Sequence, residues 1–202
     1  MIRTVISDMG RVVLWFDNNI FLGKLAEKMG VPFETVHAAA HANLDPIRRF
    51  DGGEMSPAEF RERVFAAAGK VMDEAEFWRC YNDIFWANRP VIDLLRRVKA
   101  AGYSLVLLSN TDPERFEFVR ENFPEIFFFD AYVISYQLKM LKPDRAIYLE
   151  AARRAGSEPG ECVFIDDMAE NVEGAQAAGL AGIPYTPGTD LEAELRKLGL
   201  IF

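Results

Sequence analysis

The chain is poor in cysteine, since its 202 residues include only Cys80 and Cys162. The two lie far apart and do not form a CxxC pair, so a disulfide framework is not expected. We expect both side chains to remain reduced thiols, as is usual for a cytoplasmic protein.

The sequence also lacks a long hydrophobic run. A membrane helix needs ~20 consecutive apolar residues, and the longest candidates here are interrupted stretches around residues 105–108 and 126–129. At the start of the chain, Asp8 comes before the apolar region of a signal peptide could form. The sequence therefore predicts a cytoplasmic location and no membrane partner.

The sequence also has fewer positively charged than negatively charged residues. Lys and Arg number 23 against 31 Asp and Glu, which gives a formal net charge of −8. Without a basic stripe, nucleic acid is not an expected partner. What is present is the composition of a folded globule, 50% hydrophobic and 27% charged, with a length near that of one domain plus a modest insert. The sequence leaves the oligomeric state open.

Short aliphatic runs alternate with helical patterns along most of the chain. The predicted strands are residues 4–7, 104–108, 131–134, 162–165 and 181–185, and the predicted helices between or after them are residues 90–100, 144–155, 169–178 and 191–198. Continuous apolar runs of this length are typical of strands buried on both faces. The alternation predicts an α/β fold with a doubly wound, Rossmann-like parallel sheet, which binds ligands at the carboxyl ends of its strands.

One long segment interrupts this alternation. Residues 16–87 show helical patterns, at 20–29, 33–42, 57–68 and 73–86, and no convincing strand. We interpret the segment as an inserted helical bundle that covers the sheet edge as a cap, because it begins where the candidate site begins. The alternative is that these helices only pack on the flank of the sheet. The predicted division is a core of residues 1–15 and 88–202 and a cap of residues 16–87.

Polar residues that could take part in catalysis or ligand binding follow the first two core strands. Asp8 ends the first, where a carboxylate can attack an electrophile or bind a hard cation, although an Asp that caps a turn looks the same. Ser109 and Asn110 end the second. Their hydroxyl and N–H groups can bind an oxyanion, and they are equally compatible with an ordinary helix cap.

The next two strands are followed by charged residues. Lys142 precedes Pro143, which would fix the direction of an ammonium group that neutralises a negative substrate; a solvated turn lysine is the alternative. Asp166 and Asp167 follow the fourth strand, and Asn171 lies one helical turn beyond. Two adjacent carboxylates at a buried edge repel each other unless a metal cation or a cationic side chain compensates, so the pair by itself is compatible with either.

These groups would converge on one sheet edge in a doubly wound fold. A carboxylate nucleophile, a Mg²⁺ ion held by oxygen ligands and a nearby cation suit phosphoryl transfer through an aspartyl-phosphate. The metal and the lysine would offset the phosphate charge that otherwise repels Asp8.

Four segments resemble the motifs of the haloacid dehalogenase superfamily: residues 8–13 (DMGRVV), 107–110 (LLSN), 141–144 (LKPD) and 164–167 (FIDD). The resemblance covers the whole chain, with residues 16–87 similar to the helical cap of type C1. Residues 146–148 (AIY) and 167–175 (DMAENVEGA) further resemble the branch that contains bacterial alpha-D-glucose-1-phosphate phosphatase.

The resemblance implies a Mg²⁺-dependent phosphatase of a small phosphorylated metabolite, such as a sugar phosphate. It implies roles for eight residues: Asp8 as nucleophile and metal ligand, the Gly10 carbonyl and Asp167 as further metal ligands, Ser109 and Asn110 as phosphate binders, Lys142 as the catalytic charge clamp, Asp166 as a contributor through water or through another ligand, and Asn171 as a support of the loop.

Gly10 departs from the superfamily pattern, in which an Asp two residues after the nucleophile acts as general acid and base. Glycine cannot move a proton, a loss of about 10²–10⁴ in rate unless another group substitutes. The branch that the chain resembles shares the glycine, and anomeric sugar phosphates need less protonation to leave.

Two other functions stay open. One is a metal-independent haloacid dehalogenase, which the two acids Asp166 and Asp167 argue against. The other is a catalytically weak protein that binds or regulates. The substrate would be recognised by the cap, where the candidates are Trp15, Phe16, Asp17, Arg48 and Arg49; ordinary packing explains the same residues.

Overall fold

The computed structural model describes residues 1–42 and 44–202. In chain order the elements are β1 (Thr4–Ser7), β2 (Leu14–Phe16), α1 (Asn18–Met29), α2 (Phe33–Ala42), α3 (Asp45–Asp51), α4 (Pro57–Ala68), α5 (Glu74–Asn82), β3 (Phe85–Ala87), α6 (Arg89–Ala100), β4 (Ser104–Ser109), α7 (Pro113–Asn122), β5 (Ala131–Ile134), α8 (Ser135–Leu138), α9 (Arg145–Arg154), β6 (Cys162–Asp166), α10 (Ala169–Ala177), β7 (Ala181–Pro184) and α11 (Leu191–Lys197).

The main sheet has the strand order β5-β4-β1-β6-β7, and every neighbouring pair is parallel. In the central strand, Val5 lies between Leu105 and Val163 in register. Crossover connections of this kind need helices on the sheet faces, which buries the strands on both sides. The predicted α/β fold class is confirmed.

The two faces of the sheet pack against different helices. Val5 belongs to a buried cluster with Leu95 of α6 and Leu195 of α11. Ile6, which points to the other face because successive strand residues alternate, packs in a cluster with Tyr148 of α9. Helices therefore cover both faces, as a doubly wound sheet requires.

The segment between β2 and β3 is helical, from α1 through α5, and has its own buried cluster that includes Leu25, Phe50 and Phe77. The start of α4 shows why the sequence folds here: the Ser56 hydroxyl accepts from the Glu59 N–H, and the Glu59 carboxylate accepts from the Ser56 N–H. This reciprocal cap satisfies two N–H groups that the helix itself leaves unpaired.

One local prediction in this segment is wrong. The helix predicted over 73–86 ends at Asn82, and Phe85–Ala87 forms β3 instead, paired antiparallel with β2. Strands of three residues are too short to show an alternating pattern, so hydrophobic periodicity alone does not detect them. The chain enters the helical segment through β2 and leaves it through β3. These two connections to the main sheet therefore lie side by side as a two-stranded ribbon.

The structure also describes the two cysteines and the lengths of the apolar helices. Cys80 and Cys162 are both buried, and neither forms a disulfide. Among the described residues, no helix is both long enough and apolar enough to cross a membrane.

Candidate active site

Polar residues meet at the carboxyl ends of three adjacent strands. Asp8 directly follows β1, Ser109 is the last residue of β4, and Asp166 is the last residue of β6. Because β4, β1 and β6 are neighbours and parallel, their ends lie side by side. Asp8, Ser109 and Asp166 are all buried.

The Lys142 side chain contacts carboxylates at two of these strand ends. Its ammonium donates to Asp8 Oδ1 and to Asp166 Oδ2, both at 2.7 Å, and its side chain is only 3% exposed. Asn110 fixes the lysine's main chain, since its amide donates to the Lys142 carbonyl and accepts from the Lys142 N–H. The Asn110 side chain is therefore engaged in positioning Lys142, and the main-chain N–H of Asn110 is the group left for the predicted phosphate contact.

Asp166 has donors on both of its oxygens. Besides Lys142 on Oδ2, its Oδ1 accepts from the Met168 N–H at 2.8 Å and from the Asn171 amide at 3.0 Å. The Tyr148 hydroxyl in turn donates to the Asn171 carbonyl. Tyr148 lies in the AIY segment that resembles the phosphatase branch, but its hydroxyl contact gives no signal in the sequence.

Negative charge is in excess at this edge. Asp8, Asp166 and Asp167 each offer a carboxylate oxygen within 4.8 Å of one another, and Lys142 is the cation that touches two of them. Burial raises the pKa of Asp8, Lys142 opposes this and the charges of Asp166 and Asp167 add to it, with a net pKa of about 7. Burial also raises the pKa of Asp167.

The pKa of Lys142 is raised as well, which for a lysine favours the charged form. Burial lowers the pKa of Lys142, but the carboxylates of Asp8 and Asp166 outweigh it, so its pKa is raised and it stays cationic. Three carboxylates face Lys142 and Arg11, which lies 3.9 Å from Asp167, so negative charge stays in excess. Because both Asp166 oxygens already accept hydrogen bonds, Asp8 and Asp167 are the carboxylates that fit a magnesium ion. The donor chemistry therefore agrees with the metal predicted from sequence.

Gly10 lies in a tight loop between β1 and β2, where the Val13 and Leu14 N–H groups both donate to the Met9 carbonyl. An added Cβ at Gly10 would lie 2.8 Å from Cε1 of the Phe16 ring. Its φ is outside the positive region, whereas that of Arg11 is 56°. Glycine is required here by the close approach of Phe16, and no acid can occupy this position without moving that ring.

The predicted substrate-recognition residues are dispersed. Of Trp15, Phe16, Asp17, Arg48 and Arg49, Phe16 alone lies against a predicted site residue in the contacts that the described chain shows. Asp17 caps α1, and Trp15 packs near Tyr185.

A polar cluster that sequence reasoning missed lies where the helical segment meets the sheet. The Tyr81 hydroxyl donates to Asp112 Oδ2 at 2.7 Å, and the Arg115 guanidinium lies 4.1 Å from the centre of the Tyr81 ring. Burial and the charge of Asp112 raise the pKa of Asp51 and Arg115 opposes them, with a net pKa of about 8. The Ser135 hydroxyl donates to the Asp51 carbonyl. These residues are distant in sequence and form no motif.

The family sequence model for haloacid dehalogenase-like hydrolases matches residues 33–179, well over half of the chain. The chain belongs to this family. The superfamily predicted from the four motifs is thus confirmed, and the protein is an enzyme of the hydrolase class.

Relatives of this haloacid dehalogenase-like hydrolase include named phosphatases. A phosphorylated carbohydrates phosphatase of Thermotoga maritima is 31% identical over 186 residues, which covers 90% of this chain and 83% of that protein. A sesquiterpene phosphatase of Aspergillus oryzae is 27% identical over 157 residues, 77% of this chain and 80% of that protein.

The fold is shared with a solved HAD family enzyme of Bacteroides thetaiotaomicron, crystallised in complex with magnesium and inorganic phosphate. Its TM-score to this hydrolase is 0.84 at 26% identity, and the match covers 97% of this chain and all of the other. A phosphatase acting on phosphorylated compounds is therefore a plausible activity for this hydrolase.

Proposed function

We propose that this hydrolase is a Mg²⁺-dependent phosphatase of a small phosphorylated metabolite and acts through an aspartyl-phosphate on Asp8. The observation that carries the proposal is the contact of Asp8 with the Lys142 ammonium among three converging carboxylates. A carboxylate held beside a cation at a strand end suits attack on an anionic phosphorus centre.

In the proposed reaction, Lys142 holds Asp8 through Oδ1 and neutralises part of the charge of the phosphoryl group. The Asp8 carboxylate forms a bond to phosphorus while the bond from phosphorus to the leaving oxygen breaks. Water then cleaves the acyl-phosphate and regenerates Asp8. The Ser109 hydroxyl and the main-chain N–H of Asn110 are assigned to the phosphate oxygens, because the Asn110 side chain is engaged with Lys142.

Asp8, Asp167 and the Gly10 carbonyl would hold the metal, while Asp166 positions Lys142 and Asn171 orients Asp166. A bound Mg²⁺ would supply positive charge against the phosphate oxygens. We further propose that residues 16–87 act as a cap on a core of residues 1–15 and 88–202. The contact of Ser135 with the Asp51 carbonyl, across the seam between them, supports this.

The absence of an acid at position 10 limits which leaving groups the enzyme can release. Since the chain has no acid at that position, the substrate should be one whose alcohol departs readily. The resemblance to the alpha-D-glucose-1-phosphate phosphatase branch favours a sugar phosphate, and the Thermotoga maritima relative is named for phosphorylated carbohydrates. The Aspergillus oryzae relative is named for an apolar class of compounds, so both classes belong in the test.

The test is phosphate release from a panel that contains glucose 1-phosphate, glycerol phosphate, phenyl phosphate and an alkyl phosphate, before and after EDTA treatment. We expect turnover that EDTA abolishes and Mg²⁺ restores. Activity that survives exhaustive chelation would contradict the metal assignment. Halide release from 2-chloropropionate without metal would instead identify a dehalogenase, and no turnover of any compound would favour a binding or regulatory protein.

A further inference from the structure

The helical segment encloses an apolar cavity of about 210 Å³ between α1, α2 and α4. Its wall includes Phe21, Leu25, Val36, Phe60 and Val64. Protein interiors normally pack with few voids larger than a water molecule. A space of this size, lined by hydrocarbon, is therefore suited to an apolar ligand rather than to water.

The end of this cavity that faces the sheet is polar. Arg115 and Asn18 line it, and Arg115 Nη2 donates to Asn18 Oδ1 at 2.9 Å. The Arg115 Nε is buried and makes no hydrogen bond within the described chain, although Asp112 Oδ2 lies 4.0 Å from it. Because a buried N–H without a hydrogen bond is costly, an oxygen of a bound molecule would satisfy this atom better than Asp112 does at that distance. The cavity thus matches a ligand with an apolar body and an oxygen at one end.

The polar end also lies beside the loops of the candidate active site. Asn18 is exposed and follows Phe16 by two residues, and the Phe16 ring approaches Gly10. Arg115 lies in the first turn of α7, which Asp112 caps directly after the loop that begins at Ser109. Both polar lining residues therefore follow, within a few residues, loops that carry predicted site residues.

We propose that this cavity binds the apolar alcohol portion of the phosphate ester, so that the substrates are phosphates of hydrocarbon-like alcohols. This inference rests on the proposed phosphatase function. An apolar cavity of about 150 Å³ is enough to bind benzene, so the space here accommodates an aromatic ring with a short alkyl tail. A sugar in the same space would place hydroxyl groups against the apolar wall away from Asn18 and Arg115, which is unfavourable.

The substrates for the test are phenyl phosphate and its 4-methyl, 4-propyl and 4-butyl derivatives. The leaving-group acidity barely changes along this series, so a trend in kcat/KM reports binding of the tail. We expect kcat/KM to rise about two- to fourfold per methylene, which corresponds to burial of each CH₂, and to level off when the cavity is full. A flat series in an active enzyme would overturn the inference.

Two neighbouring alanines of α2 provide a matched pair of variants. Ala39 lines the cavity, whereas Ala38 is exposed and lies outside it. Ala39→Phe should fill the space and abolish the gain with tail length, and Ala38→Phe should retain it. If Ala39→Phe does not fold, Ala67→Phe with Ala66→Phe as control repeats the comparison on α4. Equal tail dependence in the cavity variant and its control would overturn the inference.

A binding measurement separates this inference from the phosphatase proposal. Calorimetric titration with 4-butylphenol tests the cavity without any turnover. Binding to the native protein that Ala39→Phe removes and Ala38→Phe keeps supports the cavity assignment even if every phosphate ester is inert, in which case the phosphatase proposal alone fails. Absence of 4-butylphenol binding to the native protein would overturn the assignment.

Discussion

The Asp8 side chain needs a negatively charged oxygen to form an acyl-phosphate, and an amide of the same shape cannot supply one. Asp8→Asn should therefore lower kcat by roughly 10³-fold or more while the fold is retained. Phosphate release and circular dichroism measure the two effects. The exposed residue Asp93 provides the control, since Asp93→Asn should keep full activity. Turnover of Asp8→Asn within about tenfold of the native enzyme would contradict the aspartyl-phosphate mechanism.

Gly10 is constrained by its neighbour rather than by its backbone angles. Gly10→Ala should destabilise the protein by about 1–3 kcal/mol, because the new Cβ displaces the Phe16 ring. Phe16→Leu in the same chain should recover part of that loss, and a double-mutant cycle of unfolding free energies measures the coupling. Gly160→Ala is the control, since an added Cβ there meets no atom within 4 Å. Additive effects of Gly10→Ala and Phe16→Leu would show that the ring is not the obstacle.

The missing acid at position 10 makes a kinetic prediction of its own. Without a proton donor, the leaving oxygen must carry its developing charge, so kcat/KM should fall steeply as the leaving-group pKa rises. Phenyl phosphates with small ring substituents allow this measurement with little change in size. A flat dependence would mean that another group supplies the proton.

At the scale of elements, α3 and α7 bring two acids together where the helical segment meets the sheet. Asp51 faces Asp112, Arg115 and Tyr81, and its pKa is raised from 3.8 to about 8 in the folded state. The folded protein therefore keeps a proton that the unfolded chain releases above pH 4. This contribution to stability is complete below pH 4 and is lost as the pH rises towards 8.

Asp51→Asn should remove this contribution. The free energy of unfolding of the native protein should decline between pH 5 and 8 relative to that of the variant, by no more than about 1.4 kcal/mol per pH unit. Urea unfolding at several pH values measures the difference, with Asp93→Asn as the exposed control. Parallel pH profiles for native protein and Asp51→Asn would show that Asp51 is not protonated in the fold.

At the scale of the whole molecule, a ligand that binds only the folded state raises the unfolding temperature. Mg²⁺ at about 100 times its dissociation constant should add about 2.7 kcal/mol, equivalent to roughly 5–10 °C for a chain of this size. Asp167→Asn should reduce this shift, because it replaces a negatively charged carboxylate of the acidic cluster with a neutral amide. Thermal unfolding with increasing MgCl₂ measures it. An identical shift in Asp167→Asn and native protein would exclude Asp167 as a ligand.

The core strands were predictable almost to the residue. The run from Cys162 to Asp166 is apolar up to its final acid and buried on both faces, so its extent shows directly in the sequence. The ribbon of β2 and β3 was not predictable, because each strand has three residues and the pairing joins segments about 70 residues apart. The short helix α3 was also absent from the prediction.

The sequence by itself determined which chemical groups follow which strands, because parallel strands of a doubly wound sheet always end at one edge. It could not determine the contacts between those groups. Lys142 and Asp8 are 134 residues apart, and their 2.7 Å contact depends on how the loop after β5 packs on the sheet. The Phe16 ring over Gly10, the Asp51–Asp112 pair and the apolar cavity likewise exist only in the packed molecule. Local sequence specifies the core strands and the longer helices, but the pairing of β2 with β3 and the distances between side chains of different elements are set by tertiary packing.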